Sequence, residues 1–156
     1  MERCAIKKIA TGILLFGYII IGLVDALLHG KTTYSSIMAM EINRVYFYTF
    51  FLLAMGSWLL YNKWLVGVGF LALATFNSYF TQFIVLHNYF ASVIIYVGII
   101  IDIIIRKEFK WLVPLVIFGI IQGIAFQTAW LGIYMVGIME LFALCVGSVF
   151  VVKTIQ

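Results

Sequence analysis

The chain has 156 residues, a formal net charge of +4, 65% hydrophobic residues and only 10% charged ones. Soluble domains carry about a quarter charged residues, so this composition excludes an ordinary water-soluble globule. It also excludes a nucleic-acid-binding module, because no polar domain is present to carry a basic face. Apolar runs long enough for about 20-residue spans, one proline and no sustained polar–apolar alternation argue for membrane helices over a β-barrel.

The expectation is one polytopic domain over 1–156, an all-α membrane protein built as a six-transmembrane-helix bundle. Its location would be the plasma or inner membrane. The apolar runs fall at roughly 9–28, 45–61, 65–86, 89–105, 112–129 and 133–152. The first begins behind Arg3, Lys7 and Lys8, as a signal peptide would. It is too long for a signal core and no small-x-small cleavage site follows, so it reads as a retained span. The spacers are short: Tyr61–Trp64, His87–Asn88, Arg106–Lys110 and Trp130–Gly132. Residues 29–44 form the one longer connection, in which Ile37–Glu41 could make a short interfacial helix.

Orientation follows from the basic residues. With the N-terminus inside, Arg3, Lys7, Lys8, Lys63, Arg106, Lys107, Lys110 and Lys153 lie on the cytoplasmic side, and Lys31 and Arg44 on the other. This positive-inside bias places both termini in the cytoplasm. Trp64 and Trp111 then fall at the inner boundary, and Tyr34, Trp130 and Tyr134 at the outer one. Cys4 and Cys145 lie at different depths, which argues against a disulfide. Glycines recur inside the spans, and Gly119–Gly123 is a small-xxx-small pattern suited to helix packing, within one chain or in a homo-oligomer.

Ionisable groups inside spans are costly and mark candidate sites. Asp25 and His29 sit four apart at the end of the first run, so they share one helix face. Glu41 and Arg44, three apart, could pair as an interfacial salt bridge, or Arg44 could be the one fixed cation of an outward pocket, favouring an anionic ligand group. Asn77 and Gln82 make the third run unusually polar. His87 and Gln127 fall at a similar outer depth. Glu140 lies about two turns inside the sixth run, with no basic residue close to it in its own span, so it needs a partner from another helix or a neutral form. Asp102, one turn before Arg106, reads as an i,i+4 ion pair at the inner interface.

Together these residues suggest a polar pocket open to the outer side, formed by Asp25, His29, Arg44, Asn77, Gln82, His87, Gln127 and Glu140. Its leading reading is the binding or translocation of a small solute, ion or proton, with the lipid bilayer as the protein's other partner. The alternative is a metal-dependent enzyme acting on a lipid or isoprenoid at the outer leaflet. A divalent metal would then be held by Asp25, His29 and His87, with Glu41 or Glu140 as acid/base. A shallow haem between His29 and His87 is a weaker variant. A non-catalytic membrane scaffold or complex subunit is the third class.

Overall fold

The computed structural model describes residues 2–30, 40–77, 79–83, 85–87, 92–128 and 133–155, leaving aside the side chains of 81, 92, 125–128 and 133–136. Of the proposed interfacial helix at Ile37–Glu41, residues 37–39 lie outside the described residues, while Met40 and Glu41 are not helical and Glu41 is extended at the start of the next helix.

Six α-helices and no strands are found among the described residues: α1 (Glu2–His29), α2 (Ile42–Leu60), α3 (Trp64–Thr75), α4 (Ser92–Ile105), α5 (Leu112–Thr128) and α6 (Ile133–Thr154). Each corresponds to one of the six apolar runs. By length and composition, the stretches Glu2–His29 and Gly137–Thr154 are long and apolar enough to cross a membrane, while α3, α4 and α5 supply shorter apolar segments. Sequence neighbours pack together along α1–α2–α3–α4 and α5–α6, and α1 also packs against α6. The shared core is Tyr48, Leu52, Met55 and Leu59 of α2, with Phe70, Ile99, Ile103, Leu115 and Phe150.

The turns have local causes. At the end of α4, Lys107 takes a left-handed φ of 57°. The Glu108 and Lys107 N–H groups then reach back to the carbonyls of Ile103 and Ile104 at 3.0 and 3.1 Å. This is a Schellman motif closed by a lysine where glycine is usual. Gly30 ends α1 with a φ of 59°. Pro114 stands in the first turn of α5, where its missing N–H costs nothing.

The third run differs from the single span expected over 65–86. Helix α3 stops at Thr75, and a 3₁₀ turn follows at Thr81–Phe83. Asn77 supplies the reason. Its Oδ1 accepts the Tyr79 N–H at 2.9 Å, and its Nδ2 donates to Thr49 Oγ1 at 3.1 Å. An asparagine that bonds the backbone two residues on offers the chain an alternative to the helical ladder. His87 returns to the same break, where its Nδ1–H donates to the Phe76 carbonyl at 2.7 Å. That carbonyl belongs to the open C-terminal end of α3.

The closest helix approaches are set by glycine, and not where the Gly119–Gly123 pattern suggested. A Cβ on Gly67 would stand 2.4 Å from the Leu60 backbone N, and one on Gly69 would stand 2.3 Å from Ile95 Cγ1. A Cβ on Gly119 would meet only Tyr96 at 3.7 Å, and one on Gly123 would meet nothing within 4 Å.

Candidate functional site

The residues that depth alone grouped together separate: Asp25, His29 and Arg44 join one polar assembly and Glu140 another, while a further assembly forms at the opposite end of α2.

The first joins the end of α1 to the start of α2. Asp25 Oδ2 accepts from Arg44 Nη1 in an ion pair and from the Tyr48 hydroxyl at 2.9 Å. His29 Nδ1 lies 3.1 Å from Asp25 Oδ1 and 2.9 Å from the Asp25 carbonyl, and Arg44 Nη2 lies 3.0 Å from His29 Nε2. A guanidinium has no acceptor, so Nε2 must accept, and in this arrangement the ring is the neutral Nδ1–H tautomer. Arg44 Nε–H is buried without a hydrogen-bond partner among the described residues, although the Glu41 carboxylate stands 4.0 Å away. Sequence reading found Asp25, His29 and Arg44 but missed Tyr48. The signal was available, since Tyr48 follows Arg44 by one helical turn.

The second assembly lies at the other end of α2, about 28 Å away at ~1.5 Å per residue. Lys63 is buried, with its side chain 3% exposed, and forms an ion pair with Asp102. Its ammonium also donates to Thr154 Oγ1 at 2.8 Å and stands 5.6 Å from the centre of the Phe150 ring. Burial pushes the Lys63 ammonium below its ordinary pKa, and the Asp102 carboxylate opposes that shift. Arg106 Nε donates to the other Asp102 oxygen at 2.9 Å, the i,i+4 pair expected from the spacing. Lys63 therefore acts as more than a loop charge: it ties the α2–α3 turn to α4 and α6. Nearby, Lys153 and Lys110 flank Glu108 at 3.3 and 3.5 Å and hold its carboxyl below the usual range.

The third assembly is a cavity inside the bundle, bordered by α1, α3, α4, α5 and α6. About 90 Å³ of it is open to the centre of a water molecule. One buried water needs roughly 10–15 Å³ of such space, so the cavity has room for several waters or a compact solute. Its walls are mainly apolar, including Tyr18 and Phe70, and its polar groups are Tyr96, Gln122, Glu140 and Ser148. Tyr96 donates its hydroxyl hydrogen to Gln122 Oε1 at 3.1 Å, which fixes both side chains. The Ile99 side chain of α4 reaches α6 at Gly147, where an added Cβ would stand 3.0 Å from its tip.

The remaining expected pocket residues are placed elsewhere. Asn77 and His87 serve the break after α3, and burial pushes the His87 imidazole down while the Phe76 carbonyl partly offsets it. Gln82 is exposed on the 3₁₀ turn. Gln127 lies in α5, but its side chain is outside the described residues. His87 does not form a three-residue group with Asp25 and His29 among the described residues. Among the described residues no three His, Cys, Asp or Glu side chains gather as a metal would require. Cys4 and Cys145 are free thiols, as their separation implied.

No known protein family matches the chain, and neither a curated protein nor a solved structure matches it.

Proposed function

We propose that this chain is a six-span integral membrane protein, with both termini cytoplasmic, that binds and translocates a small solute, ion or proton through its central cavity. The observation that carries this reading is the cavity containing Glu140, Tyr96 and Gln122, with an ionic assembly beyond it at each end of the bundle. A carboxyl group beside an ordered hydroxyl–amide pair, in a mainly apolar chamber, suits a site that takes up a proton or a hydrogen-bonding solute. Asp25–Arg44–His29 at one end and Lys63–Asp102–Arg106 at the other are the groups a passing solute would have to displace.

Apolar surface supports the membrane placement. Ile9, Ile13, Leu27, Phe50, Ile105 and Val113 are each more than 60% exposed. So much apolar surface spread over α1, α2, α4 and α5 supports a lipid solvent. The excess of basic residues at the Lys63–Asp102 end supports a cytoplasmic placement of that end.

Two experiments test the reading. In a background lacking native thiols, cysteines at Lys31 and Lys110 should label from opposite sides of the membrane with an impermeant reagent. In proteoliposomes holding a trapped pH indicator, the wild-type chain should change the internal pH under an imposed potential or on addition of a transported solute. Glu140→Gln should fold, because the amide replaces a neutral acid's hydrogen bonds, yet should lose that flux. A stable Glu140→Gln protein with undiminished flux, in a bilayer where the topology holds, removes Glu140 from the path.

A further inference from the structure

A separate opening lies at the Lys63–Asp102 end, outside the cavity just described. Its volume is about 490 Å³, and it is lined by Cys4 and Lys8 of α1, Arg106 and Glu108 after α4, and Lys153, Thr154 and Ile155 at the end of α6. That volume lies in the range of ligand sites. Three cations from three separate segments converge on it, against one carboxylate. The carboxylate is already engaged, since Glu108 accepts from Lys153 at 3.3 Å. Arg106 spends its Nε–H on Asp102, which leaves its remaining N–H groups on the opening's wall. Lys8 has no ion pair among the described residues.

We propose that this opening binds a phosphate group, and that the group is the headgroup of an anionic phospholipid from the cytoplasmic leaflet. Phosphate is the chemistry that fits: the forked Arg106 guanidinium and the Lys8 ammonium match its several oxygens, with the Lys153 ammonium, shared with Glu108, beside them, and a single metal or apolar ligand would leave them unmatched. The lipid source follows from position. The opening lies at the end carrying eight of the ten basic residues, where a basic cleft between helices meets the headgroups of an anionic leaflet. Lys8 is the residue whose charge is uncommitted, and its role is to close on the phosphate.

The test uses the full chain in neutral detergent, with bound lipid counted by native mass spectrometry. Phosphatidylglycerol, phosphatidylcholine and inorganic phosphate are the probes. The wild-type chain should retain one phosphatidylglycerol in preference to phosphatidylcholine. Lys8→Gln should weaken that retention roughly fivefold, the scale of one basic residue at an anionic lipid surface. Arg3→Gln removes the same charge from the same helix, but Arg3 does not line the opening, so retention should stay within about twofold. Equal losses in the two variants, or no preference for phosphatidylglycerol, would overturn the site. Displacement of the lipid by an equal concentration of inorganic phosphate would overturn the lipid assignment. None of these outcomes depends on flux through the central cavity.

Discussion

Removing one partner of the Lys63–Asp102 pair should cost very different amounts depending on which partner goes. In Asp102→Asn the ammonium of Lys63 stays behind, 3% exposed, with only the Thr154 hydroxyl, an amide and the Phe150 ring to face. An orphaned buried charge costs about 3–5 kcal/mol. The cost is capped because Lys63 can shed its proton instead. Neutralising a lysine of ordinary pKa near 10.4 at pH 7 costs roughly 5 kcal/mol. Lys63→Met is milder. Asp102 keeps Arg106 at 2.9 Å and remains 20% exposed, and Thr154 still donates to the Phe150 carbonyl at 2.8 Å. The loss is about 1–2 kcal/mol, the scale of one charged hydrogen bond. At about 2–4 °C per kcal/mol for a chain of this size, Asp102→Asn should lower the melting temperature by about 10 °C and Lys63→Met by about 4 °C. Trp111, its ring centre 6.1 Å from that of Phe150 and tilted by 58°, contributes to the tryptophan fluorescence that follows the transition. The pH dependence separates the causes further. In Asp102→Asn the unfolded chain binds a proton that folded Lys63 has lost, so stability should climb with pH from 7 towards 10. Lys63→Met should show no such climb. If Lys63→Met proves as costly as Asp102→Asn, the assignment of Lys63 as the desolvated partner is wrong.

Three further outcomes follow from local geometry. Gly67→Ala and Gly69→Ala should each destabilise by about 2–4 kcal/mol or block insertion, because backbone atoms or a packed Ile95 stand in the way, while Gly123→Ala should be neutral or stabilising, as judged by thermal melting. Lys107→Gly should raise stability by about 0.5–1 kcal/mol, since the left-handed φ of 57° suits glycine and strains lysine, and a lower melting temperature would argue against the Schellman cap. Burial holds the folded-state pKa of His87 below its unfolded value near 6.5, so the unfolded state binds more protons under acid conditions. Stability should fall as pH drops from about 7 to 5, and His87→Gln, which keeps an N–H for the Phe76 carbonyl, should flatten that slope.

Helix number and turn positions were legible because apolar runs and charged spacers are one-dimensional signals. The break after α3 was not, because Asn77 alters hydropathy little while its side chain replaces a backbone bond. Lys63 and Asp102 were both placed at the inner end, yet Arg106 offered Asp102 a nearer partner in sequence, and the longer-range one was overlooked. Gly56 and Gly98 are tight packing positions on α2 and α4 that carry no motif. Closeness there depends on which faces meet, and that is a tertiary fact.

Depth in the membrane grouped eight polar residues into one expected pocket, but depth ignores the direction in which each helix faces. Asp25, His29 and Arg44 turn toward each other at the α1–α2 junction and consume most of one another's hydrogen-bonding capacity. Asn77 and His87 are spent on a broken helix end. A polar group whose bonds go to fixed protein partners stabilises the fold, and is poorly suited to exchange with a ligand without a conformational change. Of the eight, only Glu140 lines the central cavity among the described residues. The same cavity is lined by Tyr96 and Gln122, which lie on other helices and share no motif with Glu140. On the proposed reading, Glu140 is the expected residue found at the cavity among the described residues, and the assemblies at either end are the groups a solute would have to displace to reach it.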